Sequence, residues 1–546
     1  MSIMKPAGLL LCAAALPLLV ACGGGGGGGS SAAPTPVATV PPPPPPPPPP
    51  TSSAPEWTQG VFEEASTFKD QCEIVRTGTD LSGNRYPDQA GSLAEELFWL
   101  RSWSDETYLW YNEITDRNPN DFNDKIDYFD ELKTTARTPS GNARDRFHFT
   151  YDSAEWDQIR NSGSSSGYGA EFTFLRSAPP RDIRVAFTQP DSPADQAGWV
   201  RGTKILTIDG EDAINGSNTT VLNNGLSPDN PGEDHVFEVE LPDGTRETMT
   251  LTSATVAEIP VNVSKVIERD GRRYGYVHFT TFSPRTAEES LFDAFDALEN
   301  ANVDDIILDL RYNGGGLLAI ASQLSYMIAG ENTDGFDFET LQFNERTPGV
   351  NPVTGETIRP TPFYKTGVGF TVDSSRAAPT LDKKRVFVLT TGRSCSASEA
   401  VMNGLRGIDV EVIQIGMRTC GKPYGFYATD NCGTTYFTIQ FRGVNSKDFG
   451  DYADGFAPGE APGTAGDVMP GCEVRDDFTR ALGDPEEALL STALSYAANG
   501  TCPSGTSTKA SPVPSKALEI ADPAQDLLND PRIRARDLAE NLRVEE

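Results

Sequence analysis

Apolar residues recur along this chain in three rhythms, each predicting a different kind of structure. In SLAEELFWLRSWSDETYLWY, residues 92–111, Leu93, Leu97, Leu100 and Trp103 return at helical spacing, which predicts one buried helical face in an aromatic-rich region. Further on the period falls to two: residues 236–241 and 245–251 flank Asp243-Gly244, a turn pair that predicts a β-hairpin. Beyond residue 269, unbroken apolar runs alternate with amphipathic segments. Residues 274–282, 303–310, 384–389, 410–415 and 434–441 read as strands. Between them, Leu291, Ala294, Phe295 and Leu298 mark a helix that Thr286 and Glu289 would open as a capping box. A second helix runs from the glycine turn Gly314-Gly315-Gly316 to about Ile328, and a third from Ser396 to Leu405. The last helix is expected to start at Asp484 as N-cap, with Pro485 in its first position, and to end before Gly500. Strand and helix in alternation make this region α/β.

The first 55 residues follow none of these rhythms. Lys5 precedes an apolar run over 7–21, shorter than the ~20 residues that a bilayer-spanning helix needs, so residues 1–21 read as a signal peptide. Its end, Leu19-Val20-Ala21-Cys22, resembles a bacterial lipobox, which implies lipidation of Cys22 and a membrane anchor. The linker, residues 22–55, changes from a flexible glycine run at 23–29 to prolines at 41–50, a polyproline II rod at about 3.1 Å per residue. Gly23 stands where an aspartate would favour inner-membrane retention. By resemblance to that sorting rule, the expected address is the outer membrane of a bacterial cell envelope, facing periplasm or exterior.

Charge and cysteine content narrow the chemistry. The 546 residues carry 45 Lys and Arg against 78 Asp and Glu, a formal charge of -33, which argues against nucleic acid as a partner. Setting aside Cys12 and Cys22 leaves Cys72, Cys395, Cys420, Cys432, Cys472 and Cys502, a set that suits an oxidising compartment and permits fifteen pairings. No CxxC pair occurs, and His148, His235 and His278 are far apart, so neither a metal nor another cofactor is expected.

The stretch TGRSCSASEA, residues 391–400, reads two ways. Ser396-x-x-Glu399 fits a helix capping box, which is the commoner meaning of such a pattern after a strand. A nucleophile needs a base, and no histidine lies in a comparable strand-to-helix turn. Lys422, in TCGKPYGF after the next strand, sits in a loop that would return to the start of the serine helix. To act as a base at neutral pH its amine must fall from about 10.4 to near 7, at a cost on the order of 4 kcal/mol that only burial would impose.

Four motifs in sequence resemble known families. Ser192-Pro193-Ala194, Ala197-Gly198, Gly202, Ile205-Leu206 and Ile208-Asp209-Gly210 are together similar to the PDZ pattern of bacterial proteases, with Gly167-Tyr168-Gly169-Ala170 in the place of the carboxylate-binding loop. Asp309-Leu310-Arg311-x-Asn313-x-Gly315-Gly316, then Ser394-x-Ser396-Ala397-Ser398-Glu399, then Gly421-Lys422 resemble the S41 family of carboxyl-terminal processing proteases. The resemblance covers roughly residues 151–441 and implies a PDZ-like β-rich domain over 151–261 and a ClpP/crotonase-like α/β protease core over 262–502; with the periodicity of the helical N-terminal domain over 56–150 and the charge- and proline-rich C-terminal extension over 503–546, the expected protein is multidomain α/β. It further implies Ser396 as nucleophile, Lys422 as general base, the amides of Ala397 and Gly315 as oxyanion donors, and protein or peptide substrates with free C-termini. Strand addition in the PDZ-like unit would hold the substrate tail.

Three departures accompany it. Phe426 replaces a glutamine that helps orient the lysine in many relatives, the spacing is about one residue longer, and Cys395 replaces an alanine. Cys395 beside Ser396 and Cys420 near Lys422 suggest a disulfide between nucleophile and base segments. A tricorn-like site using His148 or His278, and a catalytically inactive ligand-binding lipoprotein on the same fold, are the competing readings. Residues 331–383 form an insertion, to be either a lid or a surface loop.

Overall fold

Short runs of Val, Ile, Leu and Phe without polar interruption are what a strand covered on both faces requires, and two such runs, within 305–309 and 385–390, lie side by side at the centre of the molecule. The computed structural model describes residues 55–80, 83–154, 156–157, 164–459, 467–506, 527 and 543–544. The signal sequence, Cys22 and the linker lie outside these residues. All described residues fall within one unit, Ala54–Glu546.

In the N-terminal part, helix α1 (Leu93–Thr107) and the short α2 (Lys125–Asp130) are joined by 3-10 turns and irregular chain. Ser92 caps α1 by accepting from the Glu95 amide. The helix buries Trp99 and Trp103 against Tyr436, far along the chain. A disulfide between Cys72 and Cys432 fastens the same region. Strand β1 (Phe149–Asp152) then pairs with Thr434–Phe437, so the boundary placed at residue 150 falls inside a strand.

The β-rich unit that follows has strands β2 (Ala170–Arg176), β3 (Asp182–Thr188), β4 (Lys204–Ile208), β5 (Asp234–Glu240) and β6 (Arg246–Thr252). They form an antiparallel sheet in the order β6-β5-β4-β3-β2, with Glu211–Asp212 added to β4, which leaves β2 at an edge. The expected hairpin is β5 and β6. Helix α3 (Thr219–Leu226) caps a core of Ile183, Val185, Trp199, Phe237 and Val239.

The central sheet comprises β7 (Val261–Arg269), β8 (Arg272–Phe279), β9 (Asp305–Asp309), β11 (Arg385–Thr390), β12 (Glu411–Gly416), β15 (Ala457–Gly459) and β16 (Val468–Glu473), ordered β7-β8-β9-β11-β12-β16-β15. All pairs but β7/β8 are parallel. Helices α4 (Ala287–Asn300), α5 (Leu318–Ala329) and α6 (Ala397–Gly407) pack with one face of the sheet, and α7 (Ala488–Asn499) with the other. The short β10 (Gly316–Leu317) leads into α5, and β13 (Tyr424–Gly425) and β14 (Thr434–Phe437) follow the lysine loop.

Three expectations about elements need correction. The strand predicted over 434–441 does not complete this sheet; β14 joins β1 and Thr429–Asn431 in a separate one. Beside β12 lies β16 instead, whose Pro470 and Gly471 hide its strand character; a Cβ on Gly471 would stand 1.8 Å from the Gln414 carbonyl oxygen. Thr286 has helical backbone angles and makes no side-chain cap; Thr371 Oγ1 accepts from the Glu289 amide instead, at 3.2 Å. The last helix starts at Ala488 under a Glu487 cap, because Arg311 draws the Glu487 carboxylate to 2.8 Å and Asp484 is spent on the Glu486 amide. The insertion is built into the fold: Asp337–Phe343 pairs with Phe441–Val444, and buried Glu288 accepts from the amides of Val368, Thr371 and Val372.

Candidate active site

Three motifs converge at the carboxyl ends of β9, β11 and β12, where a parallel sheet delivers its loops. The glycine turn after β9 and the serine turn after β11 are laced together. Cys395 N donates to Asn313 O at 3.1 Å, Ser398 Oγ to the same oxygen at 3.0 Å, and Ser394 Oγ to Leu310 O at 2.7 Å. The lysine loop joins through Cys420 N, which donates to Ser394 O at 3.1 Å, and through a disulfide from Cys420 to Cys395. Gly315 has φ +122, and a Cβ there would lie 2.7 Å from the Ser396 Cβ, so only glycine permits this approach.

Ser396 sits immediately before α6 with φ 56 and ψ -113, a conformation that non-glycine residues rarely adopt and that is held here by its surroundings. It is 0% exposed. Its side chain stands toward the Glu399 amide in the capping box that the sequence suggests. The amide of Ala397 opens a helix of 11 residues, where donors lack intrahelical partners and the dipole favours negative charge. The Gly315 amide is turned elsewhere in this conformation: it donates to Asn313 Oδ1 at 2.9 Å.

Glu399 does more than start a helix. Its Oε2 accepts from the Ser396 amide at 3.1 Å and from the Lys422 amide at 2.8 Å. Its Oε1 accepts from the Gly421 amide at 2.8 Å and from Thr419 Oγ1 at 2.5 Å. One fully buried carboxyl group therefore fixes the lysine loop to the serine turn, and burial raises its pKa.

Lys422 is likewise 0% exposed. Its Nζ lies 4.4 Å from the ring centre of Phe426 and 4.8 Å from that of Phe147. Burial among these rings lowers the amine from 10.5 to about 7; the charges of Asp145 and Glu399 oppose the shift and do not cancel it. Phe426, in the position of the absent glutamine, thus forms one wall of the lysine's cavity.

The other wall was missed from sequence. Asp145, Arg146 and Phe147 belong to irregular chain just before β1. Asp145 accepts from Tyr108 Oη at 2.7 Å and from the Phe147 amide at 2.9 Å, and Arg146 donates to the Cys420 carbonyl at 2.8 Å. Nothing local in RDRFHF, residues 144–149, marks Phe147 as a neighbour of Lys422.

The histidines proposed for a tricorn-like site are held elsewhere. His148 is bonded to Thr438 Oγ1 at 2.9 Å and Phe129 O at 2.8 Å and stacks on Phe129, whereas His278 packs between Phe187 and Tyr312. Burial lowers both to about 4, leaving them neutral. Cys395, Glu399 and Cys420 stand within ligating distance of one another, but the two sulfurs are bonded together and offer no thiolate to a metal.

The loop 167–170 closes against Ser192–Ala194. Tyr168 is buried on Phe237, its carbonyl accepts from Ala194 N at 2.9 Å, and Gly169 O accepts from Gln189 N at 2.7 Å. Gly169 has φ +72, and a Cβ would meet Ser192 at 2.3 Å. From the serine turn, Arg393 reaches β2: it donates to Phe172 O at 3.0 Å and pairs with Glu171 at 2.6 Å.

Residues 273–426 match the sequence model of peptidase family S41. The chain is 26% identical over 267 residues to a carboxyl-terminal-processing protease of Picosynechococcus sp., which covers 48% of this chain and 56% of that protein. It is 32% identical over 182 residues to the chloroplastic C-terminal processing peptidase of Tetradesmus obliquus, with 31% and 38% covered. The chain therefore spans about half the length, or less, of these curated relatives. Its fold is similar to that of a Bacteroides fragilis protein assigned to the S41 proteases, with TM-score 0.55 and 20% identity over 76% of this chain and 100% of that one.

Proposed function

Because the chain carries a domain of peptidase family S41, we propose that it is a serine endopeptidase cutting protein or peptide substrates near their C-termini, with Ser396 as nucleophile and Lys422 as base. The observation that carries this reading is the Lys422 amine, buried between two phenylalanine rings and lowered to about 7. Its loop is tied through Glu399 to the serine turn. A buried lysine that titrates near neutrality has access to the unprotonated form that a general base needs.

In the proposed reaction Lys422 Nζ takes the proton of Ser396 Oγ as the oxygen attacks the scissile carbonyl. The oxyanion is received by the amide of Ala397 and by that of Gly315, once the latter leaves Asn313. The carbon–nitrogen bond then breaks, the amine departs with the proton from Lys422, and water hydrolyses the ester by the same route.

The β-rich unit fits a PDZ-like role. Edge strand β2 would accept a substrate tail by strand addition beside the loop Gly167 to Ala170. Arg393 joins that strand to the serine turn. Three disulfides among the described residues suit an oxidising envelope compartment, with Cys22 as the lipid anchor and the outer membrane as the address.

Fluorophosphonate labelling of the mature chain, with mapping of the labelled peptide, tests the assignment together with peptide cleavage. Label on Ser396, lost along with cleavage in Ser396→Ala, is expected. A chain that binds peptides with free carboxyl ends yet neither labels nor cuts would be a binding protein, and the proteolytic reading would fall.

A further inference from the structure

Two successive peptide groups lead into Lys422, one joining Cys420 to Gly421 and one joining Gly421 to Lys422, and both are held at each polar end. The amides of Gly421 and Lys422 donate to the two oxygens of Glu399, each at 2.8 Å. In a trans peptide the carbonyl points away from the N–H, and both carbonyls meet one guanidinium. Arg146 Nη2 donates to Cys420 O at 2.8 Å and to Gly421 O at 3.4 Å. The same nitrogen reaches Ala453 O at 3.3 Å. Gly421 has φ +84, and a Cβ there would stand 2.4 Å from that Ala453 oxygen, so the lysine loop runs tight against the segment that Arg146 also grips.

Arg146 is an unusual cation in this fold. Among the described residues it donates to main-chain carbonyls alone, and its Nε is buried without a partner. Placing a guanidinium where no carboxylate bonds it is costly. A residue kept for stability alone would be expected to resemble Arg311, ringed by acids.

We infer that Arg146 is a positioning residue for the base: together with Glu399 it fixes the two peptide groups that aim the Lys422 side chain, and it holds the ring of its neighbour Phe147 against the amine. The inference rests on the proteolytic reading and deepens it, since Arg146 acts through Lys422 and not on the substrate. The dipoles of both peptide groups run between a cation and a carboxylate, so each charge strengthens the hold of the other. Phe426, in the position of the absent glutamine, offers the amine no hydrogen bond, and Arg146 supplies restraint through the main chain instead. Because Arg146 and Phe147 are adjacent, the clamp also sets the distance between the lysine and one wall of its cavity.

The test reads the lysine itself. Asp145 and Glu399 are the carboxylates whose charges act on Lys422, and both are retained in every variant. Tyr108 and Tyr424, raised by burial, stay neutral throughout. In a mature Ser396→Ala chain carrying an NMR-visible carbon at lysine Cε, the Lys422 signal, identified by its loss in Lys422→Met, should titrate near 7. Adding Arg146→Met should raise that midpoint by roughly one pH unit, as wall and loop part and water reaches the amine. Arg146→Lys keeps the charge and reaches fewer carbonyls; it should give a smaller rise in the same direction, and it carries the test if the methionine variant does not fold. With Ser396 present, Arg146→Met should lower kcat about 10–100-fold at nearly constant KM, and the pH midpoint of kcat/KM should move with the NMR midpoint. Guanidinium ion added to Arg146→Ala should restore part of kcat, and tetramethylammonium at the same concentration should not. A Lys422 midpoint that stays near 7 in both Arg146→Met and Arg146→Lys would overturn the inference, as would a loss of activity carried by KM. If the parent chain neither labels nor cuts, the proteolytic reading fails, and the Lys422 titration still decides whether Arg146 governs the lysine.

Discussion

Two cations are fully buried at the carboxyl end of the central sheet, Arg311 and Lys422, and their surroundings push them in opposite directions. Arg311 is enclosed by acid. It meets Asp309 at 2.6 Å, Asp476 at 2.8 Å and Glu487 at 2.8 Å, and these charges hold its pKa well above the ordinary value despite burial. Asp309 in turn is lowered to about 2. The network continues to Arg201 of the β-rich unit, which bonds Asp476 and the Tyr312 hydroxyl. Lys422 is enclosed by rings, with its nearby carboxylates already committed to Tyr108 and to main-chain amides. Arg311 is thus locked in the charged form and serves architecture. Lys422 is poised between forms and suits proton transfer. Burial alone does not separate a structural cation from a base; the partners do.

The largest expected effect comes from removing the poised group. Ser396→Ala and Lys422→Ala should each lower kcat/KM by about 10³-fold or more in a peptide-cleavage assay. Lys422→Arg should not restore it, because a guanidinium stays protonated. Wild-type-like activity in Lys422→Ala would erase the contrast with Arg311.

On the structural side, Arg311→Met should cost about 3–5 kcal/mol in denaturant unfolding, since it leaves Asp309 and Glu487 buried without their cation. Lys422→Met should behave differently. The folded pKa of Lys422 lies below its unfolded value, so the unfolded chain binds the extra proton between about 7 and 10.5 and wild-type stability rises with pH across that window. The methionine variant should lose that rise while remaining folded.

Glu399→Gln keeps an acceptor but loses the charge and one of the oxygens that bridge serine turn and lysine loop. A fall of about 10–100-fold in kcat, with KM nearly unchanged, is expected. The smallest effect sharpens the comparison most. kcat/KM should rise with pH through about 7 as Lys422 loses its proton. Phe426→Ala, which admits water to the amine, should move that midpoint upward by roughly one pH unit. A midpoint that stays put would mean that the rings do not set the lysine's state.

Much of this arrangement was legible in the chain. Apolar runs located β9, β11 and β12, and the glycine and serine turns fell where those strands end, because both signals are local. The lysine loop could be placed, but its cavity could not. Phe147 belongs to a segment whose relation to Lys422 exists only after folding, and phenylalanine carries no mark that distinguishes a wall of a site from ordinary core. Glu399 was legible as a helix-starting residue and not as a brace, since the three amides and the threonine hydroxyl it accepts from include groups more than twenty positions away. The strand β16 was hidden by Pro470 and Gly471, and β14 was drawn away by β1, a partner that no local pattern announces.

The wall contributed by Phe147 also sets a schedule. Arg146 and its neighbours precede the lysine loop by 274 residues, and the two meet only when the first and last thirds of the described fold have closed on each other. A chain emerging N-terminus first holds half of the cavity long before the amine that will enter it. Until closure, Lys422 is an ordinary ammonium near 10.4, fully protonated at neutral pH. An incomplete chain therefore carries this amine in its charged form, and the neutral form becomes accessible only when the fold is finished.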